Sequence, residues 1–219
     1  DIRVEALLIV FLAVYVVAKR WSRVAMMLYV VAFNLWFAYR LNGIEMWLLP
    51  ATACLNYALT QEMRQREGRA RKAVLTALVV GDLAVLAYFK YATFLLDDVV
   101  GAMLSTNFSF KAVALPVGIS FYTFQAISYA VDVYRRRFTM EPTLLEFCFY
   151  LTFFPLLMAG PITRAQNLLP RLRANREASG RMVWTGLWLI MLGVVKKNMV
   201  SDYIGQFTGW VFDAPQQFS

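Results

Sequence analysis

Asp82, Lys90, Gln125, Ser128 and Asp132 are polar or ionisable residues set inside long apolar runs, and any chemistry in this chain would start from them. At about 100° per residue along a helix, Gln125, Ser128 and Asp132 fall on one narrow face. A polar stripe of that kind must look into a bundle or an aqueous path, because lipid satisfies none of its hydrogen bonds. Its plain role is to hold helices together; its sharper role is to line a cavity. Asp132 also lies one turn from Arg135 and Arg136, within reach of an ion pair. Asp82 and Lys90 are two turns apart, too far to pair directly, so each is expected to find a partner on another helix. Arg164 follows the Gly160–Pro161 break.

Much chemistry is excluded. The chain has no histidine, and its two cysteines, Cys54 and Cys148, lie in apolar segments without metal-ligand spacing. They read as small core residues, and no metal is expected. No Cys, Lys or Ser has the neighbours that would activate a nucleophile. Asp82 or Asp132 could in principle serve as a base, but for Asp82 a structural polar contact is the simpler role.

The elements that carry these residues are membrane helices. Of the 219 residues, 60% are hydrophobic and only 16% charged, against roughly 25% charged in a soluble domain. Apolar runs near the ~20 residues needed to cross a bilayer cover about 2–18, 24–40, 44–60, 73–96, 115–134 and 182–200. No period repeats and no flexible linker divides them. The chain is therefore expected to be a single all-α domain, a polytopic membrane helix bundle. The run after Val4 lacks a small-residue cleavage site and reads as a first span. The opening at Asp1 suggests a trimmed N-terminus.

The net charge of +8 lies in short loops, so it points to membrane orientation and not to nucleic acid. Lys19, Arg20 and Arg23 form one basic cluster, Arg64 to Lys72 a second, and Arg135 to Arg137 a third. The alternate loops are poor in bases. This places the basic clusters in the cytoplasm and the N-terminus outside it. The stretch at about 144–162 has basic residues on both flanks and is broken by Pro155 and by Gly160–Pro161. A re-entrant segment, entering and leaving on one side and lining a cavity, fits both facts. A full span is the alternative. A helix rising from Arg181 would carry Lys196 and Lys197 near the outer side; facing the cavity or snorkelling to the surface are the alternatives.

The segments FKYATF (89–94), LPVGISFYTFQAISYAVDVYRRR (115–137), FFPLLMAGPITRAQNLLPRL (153–172) and GVVKKNMVSD (193–202) together resemble membrane-bound O-acyltransferases of the alginate O-acetyltransferase type. The D-alanyl transferases of teichoic-acid modification are more distantly similar. The match in order and spacing runs over about 89–213; the first 88 residues agree only in hydropathy and spacing.

The resemblance implies a bacterial inner-membrane enzyme that moves an acetyl or other acyl group from a cytoplasmic thioester donor to a polymer hydroxyl. Acetyl-CoA or a carrier-bound thioester would be the donor, with no bound cofactor. Membrane lipid and an exported polysaccharide acceptor, reached through periplasmic proteins, would be partners. An intramembrane histidine would be the general base. That histidine belongs to the family's C-terminal half, so this chain reads as an N-terminal part, inactive by itself. Gln125, Ser128, Asp132, Arg135 and Arg164 are expected to line or brace the cytoplasmic side of the cavity. A glycan or lipid transporter and a non-catalytic scaffold are the competing classes; internal repeats, which are lacking, would favour the first.

Overall fold

The computed structural model describes residues 2–93, 115–153, 162–174 and 179–213. All regular elements among them are helical. They fall into two units, residues 1–174 and 175–219. In the first unit the helices are α1 (Ile2–Trp21), α2 (Arg23–Asn42), α3 (Leu48–Gln65), α4 (Gly68–Thr93), α5 (Ile119–Tyr134), α6 (Leu144–Thr152) and α7 (Ala165–Ala174). The second holds α8 (Gly180–Val195), a π-helical turn (Lys196–Ser201) and α9 (Asp202–Asp213).

Local chemistry sets the boundaries. Ser22 accepts a hydrogen bond from the Ala25 amide at 3.0 Å, so α2 is capped where α1 stops. Between α2 and α3, Gly43 starts a short 3-10 turn with φ of +60°, a conformation that favours glycine. The run at 115–134 is helical only from Ile119. The amide of Ile119 bonds the Pro116 carbonyl at 3.2 Å, and Gly118 has φ of +85°. This is a type II turn with glycine at its third position, and it moves the expected start by four residues. The Val117 amide then donates to Asn42 Oδ1 at 2.7 Å, tying the turn to the end of α2.

Three stretches, Arg23–Gln65, Gly68–Tyr91 and Gly180–Thr208, are long and apolar enough to cross a membrane. The first is broken by the 3-10 turn into two arms. Their outward faces carry large apolar side chains such as Leu28, Trp36, Leu55, Val80 and Leu83. That pattern suits lipid contact. Cys54 is on such an outward face and not in the core, while Cys148 is half-buried.

Short α6 is the centre of the first unit. It packs against both α2 and α3, with Phe147, Tyr150 and Leu151 fully buried. On one side these join Ala53, Met63, Tyr122, Ala126, Tyr129 and Leu169 in the main core. On the other, Phe149 joins Phe11, Met26, Met27 and Val30. Thr143 caps α6, accepting from the Glu146 amide while Glu146 accepts from the Thr143 amide. This is a reciprocal capping box, readable as T-x-x-E before an apolar run.

In the second unit, Ser179 caps α8 by accepting from the Met182 amide at 3.3 Å. Lys196 and Lys197 are both exposed. Lys197 pairs with Asp202 at 3.4 Å across the π-turn, so it finds a local acid.

Candidate functional site

The buried face of α5 carries Tyr122, Gln125, Tyr129 and Asp132. Gln125 Nε2 donates to the Tyr150 carbonyl at 3.0 Å. The Tyr150 hydroxyl donates to the Thr163 carbonyl at 2.9 Å, and its contact with the Gln125 carbonyl is 3.4 Å. Gln125 therefore bonds α5 to α6, and Tyr150 bonds α6 to the chain just before α7. Ser128 is half-buried on the same side of α5.

Asp132 is buried, and its carbonyl accepts from the Arg137 and Phe138 amides at 3.0 and 3.3 Å. These bonds close the C-terminus of α5, with Arg136 left-handed at φ of +57°. Glycine is the usual residue at such a position. The left-handed turn carries Arg136 away from Asp132, and it pairs with Glu67 instead, at 3.4 Å. Among the described residues the expected ion pair of Asp132 with Arg135 or Arg136 is not formed. Asp132 Oδ2 is buried without a hydrogen-bond partner.

Arginines from the second basic cluster complete this end. Arg71 Nη2 donates to the Val133 and Tyr134 carbonyls at 2.8 and 3.2 Å, adding a side-chain donor at the helix end, where the Val133 carbonyl also accepts from the Arg136 amide. Its guanidinium lies 5.7 Å from the Tyr134 ring centroid. Arg64 Nη2 donates to the Met140 carbonyl at 2.9 Å. Glu67, Gly68, Arg71, Tyr134, Arg135 and Arg136 line an open depression of about 390 Å³. Of the expected site residues, Arg135 alone opens into it. Arg164 is exposed at the start of α7, with its carbonyl accepting from the Asn167 amide at 3.0 Å; it is not part of that depression. So Gln125, Asp132, Arg135 and Arg164 do not meet in one cavity among the described residues.

Glu146 forms a second polar node that the helix-face reading missed. Arg173 reaches both its carboxylate oxygens, at 2.9 and 2.7 Å, and Arg23 reaches Oε1. Hydrogen bonds from Arg173 hold the Glu146 carboxyl down at about 2, helped by the Thr143 amide and Arg23 against the opposing effect of burial. The capping-box pattern in the sequence locates Glu146; nothing in the sequence pairs it with Arg23 or Arg173.

At the opposite end, a crevice is lined by Asn34, Asn42, Glu45, Pro116 and Tyr122, among others. About 20 Å³ of it admits a water-sized sphere, enough for roughly one water. Midway along α3 and α4 lie Asn56 and Asp82. Asn56 Nδ2 donates to Asp82 Oδ1 at 3.0 Å, so Asp82 has the partner on another helix that was expected. Among the described residues Lys90 shows no such partner: its ammonium lies over Tyr91 of its own helix, 5.5 Å from the centroid. Pro155, Gly160 and Pro161, on which the cavity-lining limb depends, lie outside the described residues.

No family model matches the chain, and no solved structure matches it. Curated relatives do. A probable alginate O-acetylase of Pseudomonas syringae is 39% identical over 127 residues, 57% of this chain and 24% of that protein. One from Azotobacter vinelandii is 32% identical over 170 residues, 75% of this chain and 34% of that protein. A peptidoglycan O-acetyltransferase of Helicobacter pylori is 25% identical over 199 residues, 78% of this chain and 38% of that protein. The chain thus spans only about a quarter to two fifths of the length of these relatives. Over the greater part of its own length, this apolar, multi-pass helical chain is similar to O-acetyltransferases of the membrane-bound alginate O-acetylase type.

Proposed function

We propose that this chain is part of a membrane-bound O-acetyltransferase that passes an acetyl group from a cytoplasmic thioester to a hydroxyl of an exported or cell-envelope polysaccharide. The observation that carries this reading is the similarity to alginate O-acetylases and a peptidoglycan O-acetyltransferase. The chain has no histidine, so a histidine base would have to come from outside these 219 residues. The role of the present helices is to bind, orient and exclude water.

In this reading the protein sits in the bacterial inner membrane with its N-terminus outside. Acetyl-CoA and carrier phosphopantetheine both bring phosphate. The depression lined by Arg71, Arg135 and Arg136 offers it guanidinium groups, which bind phosphate through paired hydrogen bonds. Arg71 already donates to two carbonyls, which leaves Arg135 as the most available donor. The meeting of Glu146 with Arg173, and of Tyr150 with Thr163, supports a limb that enters and leaves on one side.

The experiment is acetyl transfer by the full-length protein carrying Arg135→Lys. The charge is kept, so orientation is kept. Donor affinity should fall with insertion unchanged. Wild-type affinity and rate would remove Arg135 from the donor site.

A further inference from the structure

Asn56 on α3 and Asp82 on α4 are buried, 1% and 7% exposed, and lie in two separate stretches, Arg23–Gln65 and Gly68–Tyr91, each long and apolar enough to cross a membrane. Both hydrogens of the Asn56 amide are used: Nδ2 donates to Asp82 Oδ1 at 3.0 Å and to the Thr52 carbonyl at 3.1 Å. The two atoms left over are Asn56 Oδ1 and Asp82 Oδ2, and neither has a hydrogen-bond partner. They are the remaining oxygens of two planar groups already joined by one bond. If the acid is ionised, both are acceptors and cannot bond each other.

We propose that Asp82 and Asn56 form a proton-binding site at membrane depth, in which a proton on Asp82 Oδ2 is donated to Asn56 Oδ1 and closes a two-bond acid–amide ring between α3 and α4. The proton comes from water, and no other bond changes. One proton then satisfies both orphaned oxygens and removes a buried charge. Among the described residues no Lys or Arg pairs with Asp82. An uncompensated carboxylate in that position is costly.

The titratable group on the third packed helix is Tyr122 of α5, whose hydroxyl is buried. Ionised Asp82 could instead accept from that hydroxyl. This arrangement leaves Asn56 Oδ1 unsatisfied and the charge in place, and the bond is not formed: the Tyr122 hydroxyl is buried without a partner. The ring is independent of the acetyl-transfer reading.

The test is an infrared difference spectrum of the full-length protein in detergent at neutral pH, wild type minus Asp82→Asn, with melting temperatures of both and of Asp82→Leu. The expected spectrum contains the carbonyl stretch of a neutral carboxylic acid, shifted by deuteration. Asp82→Asn should melt with the wild type, because its carboxamide can donate to Asn56 Oδ1, and Asp82→Leu should melt lower. Carboxylate bands in place of the acid band overturn the proposal. So does an Asp82→Asn protein that is destabilised or does not fold, since both bonds should survive that change.

Discussion

Glu146 at the start of α6 and Arg173 at the end of α7 share a two-bond ion pair, 2.9 Å to one carboxylate oxygen and 2.7 Å to the other. The pair ties the start of α6 to the end of α7. Further along, Tyr150 and Thr163 meet as well. Since α6 has nine residues, at 1.5 Å per residue it rises only about 14 Å, half of a hydrocarbon core.

Glu146→Gln should destabilise the first unit by about 3 kcal/mol, because it leaves two guanidinium groups beside an uncharged amide. The pH dependence has a fixed sign. The folded carboxyl sits near 2, below its unfolded value, so its contribution is complete above about pH 4.5 and is lost as pH falls towards 2. Thermal melts of wild type and variant in detergent should therefore converge on acidification. Parallel melting curves across that range would show that Glu146 is not held ionised by its partners.

Gln125→Leu should cost about 1–3 kcal/mol, since the Tyr150 carbonyl is left buried without its donor. The same substitution distinguishes a brace from a substrate contact. A brace lowers the melting temperature and leaves donor and acceptor KM unchanged in the surviving enzyme. A raised KM with unaltered melting would make Gln125 a substrate-binding residue.

Arg136→Gly should raise stability by about 1 kcal/mol, because φ of +57° strains any residue with a Cβ. Its ion pair with Glu67 is long and exposed and is worth little. If the variant also binds the thioester donor more weakly, the strained arginine is kept for its charge. Unchanged donor binding would limit Arg136 to capping α5.

Orientation is open to direct measurement. Reporters fused after Arg23, Arg69 and Arg137 should read as cytoplasmic, and one after Ile44 as external. A cytoplasmic reading at Ile44 would invert the arrangement.

The long helices α1 to α5 and α8 were legible from hydropathy, because spans of apolar residues separated by charged loops leave few other solutions, whereas α7 and α9 fall outside every apolar run. The start of α5 was displaced because Pro116 and Gly118 build a turn out of residues that read as apolar span. The buried position of Gln125 and Asp132 also follows from the helical period. Their partners do not: periodicity finds the face but not the Tyr150 carbonyl that meets it. The pairing of Asp132 with Arg136 failed for a local reason, the left-handed turn at Arg136. The Arg23–Glu146–Arg173 node joins residues 123 and 27 positions apart, a relationship that only packing reveals.

The central claim is acetyl transfer, and one assay addresses it most directly. Full-length protein and the 219-residue chain, each reconstituted in vesicles, are given acetyl-CoA labelled on the acetyl group and a polysaccharide acceptor. The expected result is labelled ester on acceptor hydroxyls with the full-length protein and none with the 219-residue chain. Transfer by the chain alone, or no hydroxyl acylation by the full-length protein from either acetyl-CoA or a carrier-bound thioester, would contradict it.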